Sequence, residues 1–338
     1  MSTASAPPAE QDAPAPRPRR HPVRLLATWL GVLFGLAALA GIGAHLHLAG
    51  SNWGVALGAF SPYLMALAPL GAVLLLAARR WVLGVAAGVL TAVVATVLAP
   101  TYAGDPAEAR GPVLTVLTAN VRLGQADPAD LVAEARRAGA DVVLLQELTP
   151  GLRDGLAARG LDELLPHSLV EPGPGADGIG LWSRFPLTDQ QRDHLTFPYV
   201  SARLDLGAGR PAPTVLAFHA AGPWPQPADE WVRDMAKLPD VLDRVAAAGG
   251  GAPVLVGGDF NATWGNAQFR ALLQDGYRDS AEQLGAQWTA TYPADRAVPP
   301  LIGIDHLLVR GAGPQSLHTV QVSGSDHRGL VVRVALPG

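Results

Sequence analysis

Six short segments place carboxylate, amide or imidazole groups at the ends of apolar runs. They are residues 118–120, 145–147, 218–219, 257–261, 304–306 and 325–327. Hydrolysis of a phosphoester needs a divalent cation, an activated water molecule and donors that bind the developing negative charge. Carboxylate, asparagine and histidine side chains meet those needs. These residue types therefore predict metal-dependent phosphoester hydrolysis, provided that the fold brings the segments together.

The elements that must position these groups alternate between strands and helices. We predict strands at 113–121, 141–148, 178–184, 200–206, 214–219, 254–259, 304–309 and 331–334. Asp127 and Pro128 predict the start of a helix, and 231–248 predicts a second one. No internal repeat or long linker interrupts this part. Residues 112–338 are therefore expected to form one α/β domain with chemical groups at strand ends.

Seven motifs in this domain occur in the order of a known superfamily. They read TAN, LLQE, GLWSRFPL, FHAAGP, GGDFNATWGNAQFRALL, IDHLLV and SDHRGLVV. From about 113 to 335 the chain resembles the endonuclease/exonuclease/phosphatase superfamily. The resemblance implies a four-layer α/β sandwich of the DNase I type and a metal-dependent phosphatase or phosphodiesterase.

The resemblance also implies a metal site. Glu147 is similar to the principal carboxylate ligand of Mg²⁺ or Mn²⁺, and Asn120 lies beside it in the metal shell. Asp326 matches a family aspartate that contacts the metal or supports it. Oxygen ligands of this kind suit hard divalent cations.

Further roles follow from the same resemblance. Asp259 positions and helps to deprotonate the attacking water, while Asn261 steadies the phosphate and the nucleophile. His219 contacts a phosphoryl oxygen. Asp305 fixes the tautomer of His327 and raises its pKa, so that an imidazolium faces the transition-state charge.

Three arginines next to these motifs are candidates for substrate binding. Arg122, Arg184 and Arg328 carry guanidinium groups suited to a phosphate or pyrophosphate. The family segment that contains Arg184 normally supports the site from behind.

The first hundred residues have a different composition. No Lys, Arg, Asp or Glu occurs from 25 to 78 or from 81 to 104. Because a span needs about 20 apolar residues, the first run fits two membrane helices and the second fits one. We predict a disordered cytoplasmic tail at 1–22, a three-helix membrane anchor at 23–101 and a linker at 102–111.

Positive charges predict the orientation of this anchor. Arg17, Arg19, Arg20 and Arg24 precede the first run, and Arg79 and Arg80 separate the second span from the third. Basic residues near span ends stay on the cytoplasmic side. Three spans then place the catalytic domain outside the cell membrane.

Charge and tethering together favour a lipid substrate. After residue 111 the chain has 18 Arg and Lys against 25 Asp and Glu, a net charge of −7, which disfavours nucleic acid. A tethered site meets membrane-borne phosphates at high effective concentration. The chain is most similar overall to membrane-anchored teicoplanin-resistance proteins of the VanJ type in actinobacteria. That resemblance implies antibiotic resistance through the cell-wall carrier lipid undecaprenyl pyrophosphate.

Two alternatives stay open at this point. One is a tethered extracellular nuclease or a sphingomyelinase-like phosphodiesterase. The other is an inactive sensor or scaffold that binds a phosphorylated ligand. The sequence identifies no protein partner and no oligomeric state.

Overall fold

The computed structural model describes residues 22–207, 209–210 and 212–338. Of the tail predicted at 1–22, only Pro22 lies within the described residues, and it begins the first helix.

The apolar N-terminal part consists of helices joined by short connections. Its helices are α1 (Pro22–Leu46), α2 (Asn52–Ala59), α3 (Ser61–Met65), α4 (Ala68–Ala77) and α5 (Trp81–Ala103). Among the described residues, α1 and α5 are the two helices that are individually long and apolar enough to cross a membrane. Between them, the helical pieces Asn52–Ala59 and Ser61–Ala77 meet at an angle of 56°. The described residues contain three spans only if these two pieces together count as one span. The predicted second span is therefore a broken helix.

Small residues let these helices pack closely. A Cβ atom added to Gly31 would lie 3.1 Å from the carbonyl oxygen of Gly71, and one added to Gly71 would lie 3.0 Å from that of Gly31. Close packing through glycine is typical of membrane helices. At the α4–α5 corner, Arg80 donates a hydrogen bond to Thr28 in the first turns of α1 (3.3 Å). The basic corner thus lies near the N-terminal end of α1.

The domain after the apolar helices consists of strands with intervening helices. The strands are β1 (Val113–Asn120), β2 (Val142–Gln146), β3 (His167–Glu171), β4 (Ile179–Ser183), β5 (Leu187–His194), β6 (Pro198–Leu204), β7 (Thr214–His219), β8 (Val254–Asp259), β9 (Tyr277–Asp279), β10 (Asp305–Arg310), β11 (Gly313–Gln321) and β12 (Arg328–Ala335). The helices are α6 (Pro128–Ala138), α7 (Pro150–Ala158), α8 (Leu161–Leu164), α9 (Asp229–Ala248), α10 (Ala267–Arg270) and α11 (Ser280–Gln283).

The strands form two six-stranded sheets that pack face to face. The first has the order β11-β12-β1-β2-β4-β3 and the second β5-β6-β7-β8-β10-β9. An apolar core fills the space between them, and further cores lie under α6 to α8 on one outer face and under α9 on the other. The predicted four-layer α/β sandwich is confirmed.

Strand directions bring the chemical groups to one edge of the sandwich. In the first sheet β1 and β2 are parallel and β12 runs antiparallel to β1. In the second, β7 and β8 are parallel and β10 runs antiparallel to β8. The ends of β1, β2, β7 and β8 therefore lie beside the starts of β10 and β12.

The segment predicted as a linker is docked on the domain. After α5 the backbone of Asp105 donates to the carbonyl oxygen of Gln283 (2.8 Å), and that of Ala107 donates to the Gln283 side chain (3.1 Å). The connecting segment is thus held against the α/β domain by two hydrogen bonds to Gln283.

Candidate active site

One asparagine joins the two sheets at their common edge. The amide nitrogen of Asn120, at the end of β1, donates to Glu147 (2.9 Å) and to Asp259 (3.0 Å). Glu147 follows β2 in the first sheet, and Asp259 ends β8 in the second. Both carboxylates therefore converge on one amide.

The backbone around Glu147 is held in an unusual conformation. Glu147 has a φ of 62°, and Arg122 and Leu123, after β1, also have positive φ. The Glu147 carboxylate accepts a bond from the Leu123 N–H (2.6 Å), and the Asn120 side-chain oxygen accepts one from the Arg122 N–H (2.8 Å). Backbone strain of this kind is concentrated at functional sites. Here the positive φ of Glu147 turns its carboxylate toward the end of β1, where it meets Asn120 and Leu123.

Asp259 is buried at the centre of the site. Gly258 before it allows close approach of β7, because a Cβ atom there would lie 1.8 Å from the Phe218 carbonyl oxygen. The carboxylate accepts a bond from the Asn261 N–H (2.8 Å), and the Asn261 amide donates to the Ala220 carbonyl (3.0 Å). Burial raises the pKa of Asp259. Such a carboxylate is suited to accept a proton.

Two histidines face this carboxylate. Nε2 of His219 lies 3.7 Å from Asp259 and 3.9 Å from Glu147, and Nε2 of His327 also lies 3.7 Å from Asp259. Nδ1 of His327 is hydrogen-bonded to Asp305 (2.9 Å). Burial lowers the pKa of His327, but the carboxylates of Asp305 and Asp259 outweigh it and raise the pKa to about 10. This raised pKa favours the imidazolium form of His327 at neutral pH.

The donor set fits a divalent cation. Oxygens of Glu147 and Asp259 meet beside Asn120, and Oδ1 of Asp305 is buried without a hydrogen bond to any described residue. Asp259, Asp305 and His327 also place ligand atoms within 4.8 Å of one another. Carboxylate oxygens are the ligands that a hard divalent cation prefers. Because Asn120 turns its nitrogen to the carboxylates, it orients them and offers no ligand oxygen in this arrangement.

Arg184 lies far from these groups, which corrects its prediction as a substrate contact. It follows β4, whose last residue Ser183 pairs with Val142 at the start of β2, at the edge opposite Glu147. Its guanidinium binds the Asp141 carboxylate (2.9 Å). Arg184 therefore links the end of β4 to the start of β2, at the edge of the sheet opposite Glu147.

Asp326 pairs with an arginine beside the site, and its predicted role as a metal contact or support stays a prediction. Its carboxylate lies 3.8 Å from Nε of Arg122, which binds Asp295 as well (3.1 Å). Asp326 thus belongs to an ion-pair group at the partly exposed rim. Arg328 begins β12 beside His327, and its backbone N–H donates to the Thr291 carbonyl (2.8 Å). Arg122 and Arg328 lie at the active-site edge, where their substrate-binding role stays a prediction.

The sequence reasoning missed three supporting residues. The Ser325 hydroxyl donates to the Asn120 carbonyl (2.7 Å) and accepts from the His327 N–H (3.0 Å). The Thr291 hydroxyl accepts the N–H of Asp305 (3.4 Å), and the Tyr292 ring packs on His327 with centroids 4.9 Å apart. Ser325 belongs to the SDH motif, so the sequence contained a signal that could have identified it as a site residue. Thr291 and Tyr292 occur in no motif.

Several solved structures share this fold. TDP2 of D. rerio, humanized by 14 mutations, is 20% identical with a TM-score of 0.55, over 66% of this chain and 98% of that one. A D. rerio TDP2 complexed with single strand DNA product is also 20% identical, with a TM-score of 0.54 over 66% and 98%. A conserved Enterococcus faecalis protein of unknown function is 17% identical, with a TM-score of 0.53 over 66% and 99%. No curated protein matches the chain significantly.

The family model for the endonuclease/exonuclease/phosphatase family matches residues 117–327. This range runs from β1 to His327 and contains the residues that converge on Asn120 and Asp259. Since the match spans more than half of the 338 residues, the chain belongs to the endonuclease/exonuclease/phosphatase family and is a metal-dependent phosphoesterase.

Proposed function

We propose that the chain hydrolyses a phosphate or pyrophosphate group of a membrane lipid at the extracytoplasmic face of the cell membrane. The supporting observation is that the rim of the active site binds the apolar N-terminal helices. Asn266, in the loop after β8, donates to the Val55 carbonyl of α2 (2.9 Å), and Thr263 donates to that of Ala59 (3.3 Å). Substrates carried by the membrane would meet this site at high effective concentration.

The proposed orientation has physical support. His45, near the end of α1, contacts Arg270 of the catalytic domain (3.2 Å), whereas Arg80 contacts Thr28 near the start of α1. The basic corner and the catalytic domain thus lie toward opposite ends of α1. If basic residues stay inside, the domain is extracytoplasmic. We retain the anchor at 23–101 and the catalytic domain at 112–338 on this basis.

We propose undecaprenyl pyrophosphate as the substrate and Mg²⁺ or Mn²⁺ as the cofactor. The lipid is chosen because of the resemblance to VanJ-type proteins, which implies a role in the cell wall and in glycopeptide resistance. The ion would be held by Glu147, with Asn120 orienting its carboxylate. When bound, it supplies positive charge that polarises and neutralises the phosphoryl oxygens.

The side chains of the site divide the remaining chemistry. Asp259 orients the attacking water for in-line displacement and accepts its proton, which its raised pKa favours. The His327 imidazolium donates a hydrogen bond toward the phosphoryl charge, and Asp305 holds its Nδ1. His219 and Asn261 complete the donors around the phosphate.

A nuclease remains the enzymatic alternative, because one fold neighbour was solved with a DNA product. The net charge of −7 after residue 111 argues against it. An inactive sensor or scaffold has less support, since Glu147 and Asp259 both face the same amide.

Product analysis tests this proposal, with inorganic phosphate measured for the pyrophosphate lipid and the nucleotide, phosphocholine for sphingomyelin, and strand length for DNA. Full-length protein in lipid nanodiscs is given undecaprenyl pyrophosphate, sphingomyelin, a nucleotide or single-stranded DNA, with Mg²⁺ or EDTA. We expect Mg²⁺-dependent release from the lipid pyrophosphate, and none with Glu147→Gln. Faster cleavage of DNA or sphingomyelin would reject the proposed substrate, and no turnover of any substrate would favour a scaffold.

A further inference from the structure

Two exposed tryptophans meet beside the active site. Trp53 belongs to α2, and Trp224 belongs to the loop between β7 and α9 (220–228). Their side chains are 71% and 61% exposed, and their rings meet edge to face with centroids 5.5 Å apart. Leu46 and Leu48, just before α2, are also exposed. A water-facing surface seldom leaves several large apolar side chains bare in one segment.

Helix α2 lies directly on the loop that follows Asp259. A Cβ atom on Gly265 would lie 2.2 Å from the Gly58 carbonyl oxygen, and one on Gly58 would lie 2.7 Å from the Asn266 amide nitrogen. Glycine at 265 permits this backbone contact, and glycine at 58 leaves room for the Asn266 amide that binds α2. The side chain of Gln268 donates to the Ala49 carbonyl (2.6 Å). The helix is therefore a fixed part of the active-site rim.

Asn52 fastens the Trp224 loop to the same helix. Its amide nitrogen donates to the carbonyls of Pro223 (2.7 Å) and Gln226 (2.6 Å), and its oxygen accepts from the Ala228 N–H (3.1 Å). This loop follows His219, and its first residue, Ala220, binds the Asn261 side chain. The loop that carries Trp224 is thus directly connected to phosphate-contacting residues.

We propose that Trp53 and Trp224 form a lip that sits in the outer-leaflet interface and presents bilayer lipids to the active site. The inference rests on the proposed function. A lipid surface suits this lip better than a protein partner does, because α1 and α2 belong to a run without Lys, Arg, Asp or Glu from 25 to 78. Indole rings also prefer the boundary between headgroups and acyl chains.

The lip would act on substrate capture. With Trp224 in the interface, His219 and Asn261 lie at the level of lipid phosphates, so a headgroup reaches them without leaving the bilayer. A soluble phosphoester gains nothing from this arrangement. The lip should therefore lower KM for lipid substrates and leave soluble ones unaffected.

The chain contains no cysteine, which permits labelling at one position. A fluorophore on Gln226→Cys reports on the lip, and one on Gln190→Cys, on the exposed edge strand β5, serves as the matched control. In nanodiscs of phosphatidylethanolamine and phosphatidylglycerol, nitroxide lipids should quench the label at 226 and spare the one at 190. Quenching at 226 by soluble iodide alone would overturn the proposal, as would shielding at 226 from both quenchers, which would indicate a protein partner.

Kinetics provide the second test. Trp53→Ser with Trp224→Ser should raise KM for the lipid pyrophosphate about tenfold and change kcat/KM for a soluble nitrophenyl phosphoester less than about twofold. Equal losses on both substrates would indicate a merely structural role and overturn the lip. If the wild type fails on the lipid while the label at 226 is quenched, the lip stands and the proposed substrate fails.

Discussion

At the base of the active site, side chains from six strand ends bind one another. At the rim, by contrast, side chains bind the backbone of a distant segment: Asn52 binds the Pro223 carbonyl, and Asn266 binds the Val55 carbonyl. A contact between two side chains at the base depends on the residue type at both positions. A contact from a side chain to a backbone carbonyl at the rim depends on the residue type at one position only. The base should therefore control the chemical step, and the rim the capture of substrate.

Removing a carboxylate from the base should have the largest effect. Glu147→Gln keeps the size of the side chain but only one of the two oxygens that accept from Asn120 and Leu123, and it removes the charge available to a divalent ion. We expect kcat to fall by at least about 10²-fold, while the loss of one hydrogen bond lowers the free energy of unfolding in EDTA by only about 1 kcal/mol. Phosphate release and Mg²⁺ titration measure this. Activity above a tenth of wild type would remove Glu147 from its proposed role.

The division between base and rim matches what the sequence could and could not reveal. The eight predicted strands are the eight internal ones, and the four that were missed, β3, β5, β9 and β11, are the edges of the two sheets. Internal strands such as β2 are buried throughout and read as apolar runs, whereas nearly all of β5 is exposed and polar. Burial on both faces thus produces an apolar run in the sequence, and edge strands lack this signal.

The site follows the same rule. Residues at strand ends, such as Asn120 and Asp259, were predictable because each follows an apolar run and belongs to a motif. The docking of α2 was not, because Asn52 and Asn266 are 214 positions apart and recognise backbone groups that carry no sequence signature. Arg184 was misplaced for another reason: its motif fixes the strand but not which end faces the site.

Asp305→Asn tests the electrostatics of the base through pH. The pKa of His327 is raised from 6.5 to about 10, so its charge is present at neutral pH and lost as pH rises through about 10. Without the Asp305 charge this pKa falls, and the alkaline limb of kcat/KM should move to lower pH. We also expect kcat to fall about 10²-fold at pH 7.

A matched control exists in the second buried histidine. Nδ1 of His306 lies 3.4 Å from Asp279, outside the site. Asp279→Asn should reduce stability and leave the alkaline limb in place. If both variants shift the limb equally, the titrating group is not His327.

Asn52→Ala tests the rim with a smaller expected effect. Three hydrogen bonds to the 220–228 loop are lost, each worth roughly 0.5–1.5 kcal/mol. A loosened loop should raise KM for the lipid substrate about three- to tenfold with little change in kcat. Ser51→Ala removes only the cap of α2 and serves as the control. A loss confined to kcat would mean that the rim shapes the chemical step and would break the comparison.

Arg184→Ala should have the smallest effect, because it lies at the opposite end of the sheet from both regions. Its bonds to Asp141 and to the Ala140 carbonyl are partly exposed, so unfolding free energy should fall by about 1 kcal/mol. We expect kcat and KM within about twofold of wild type, since no substrate group reaches that edge. Denaturant unfolding and steady-state kinetics measure the two effects separately. A large increase in KM would mean that substrate contacts extend beyond the strand ends, and the separation of base and rim would then be too narrow a description of the site.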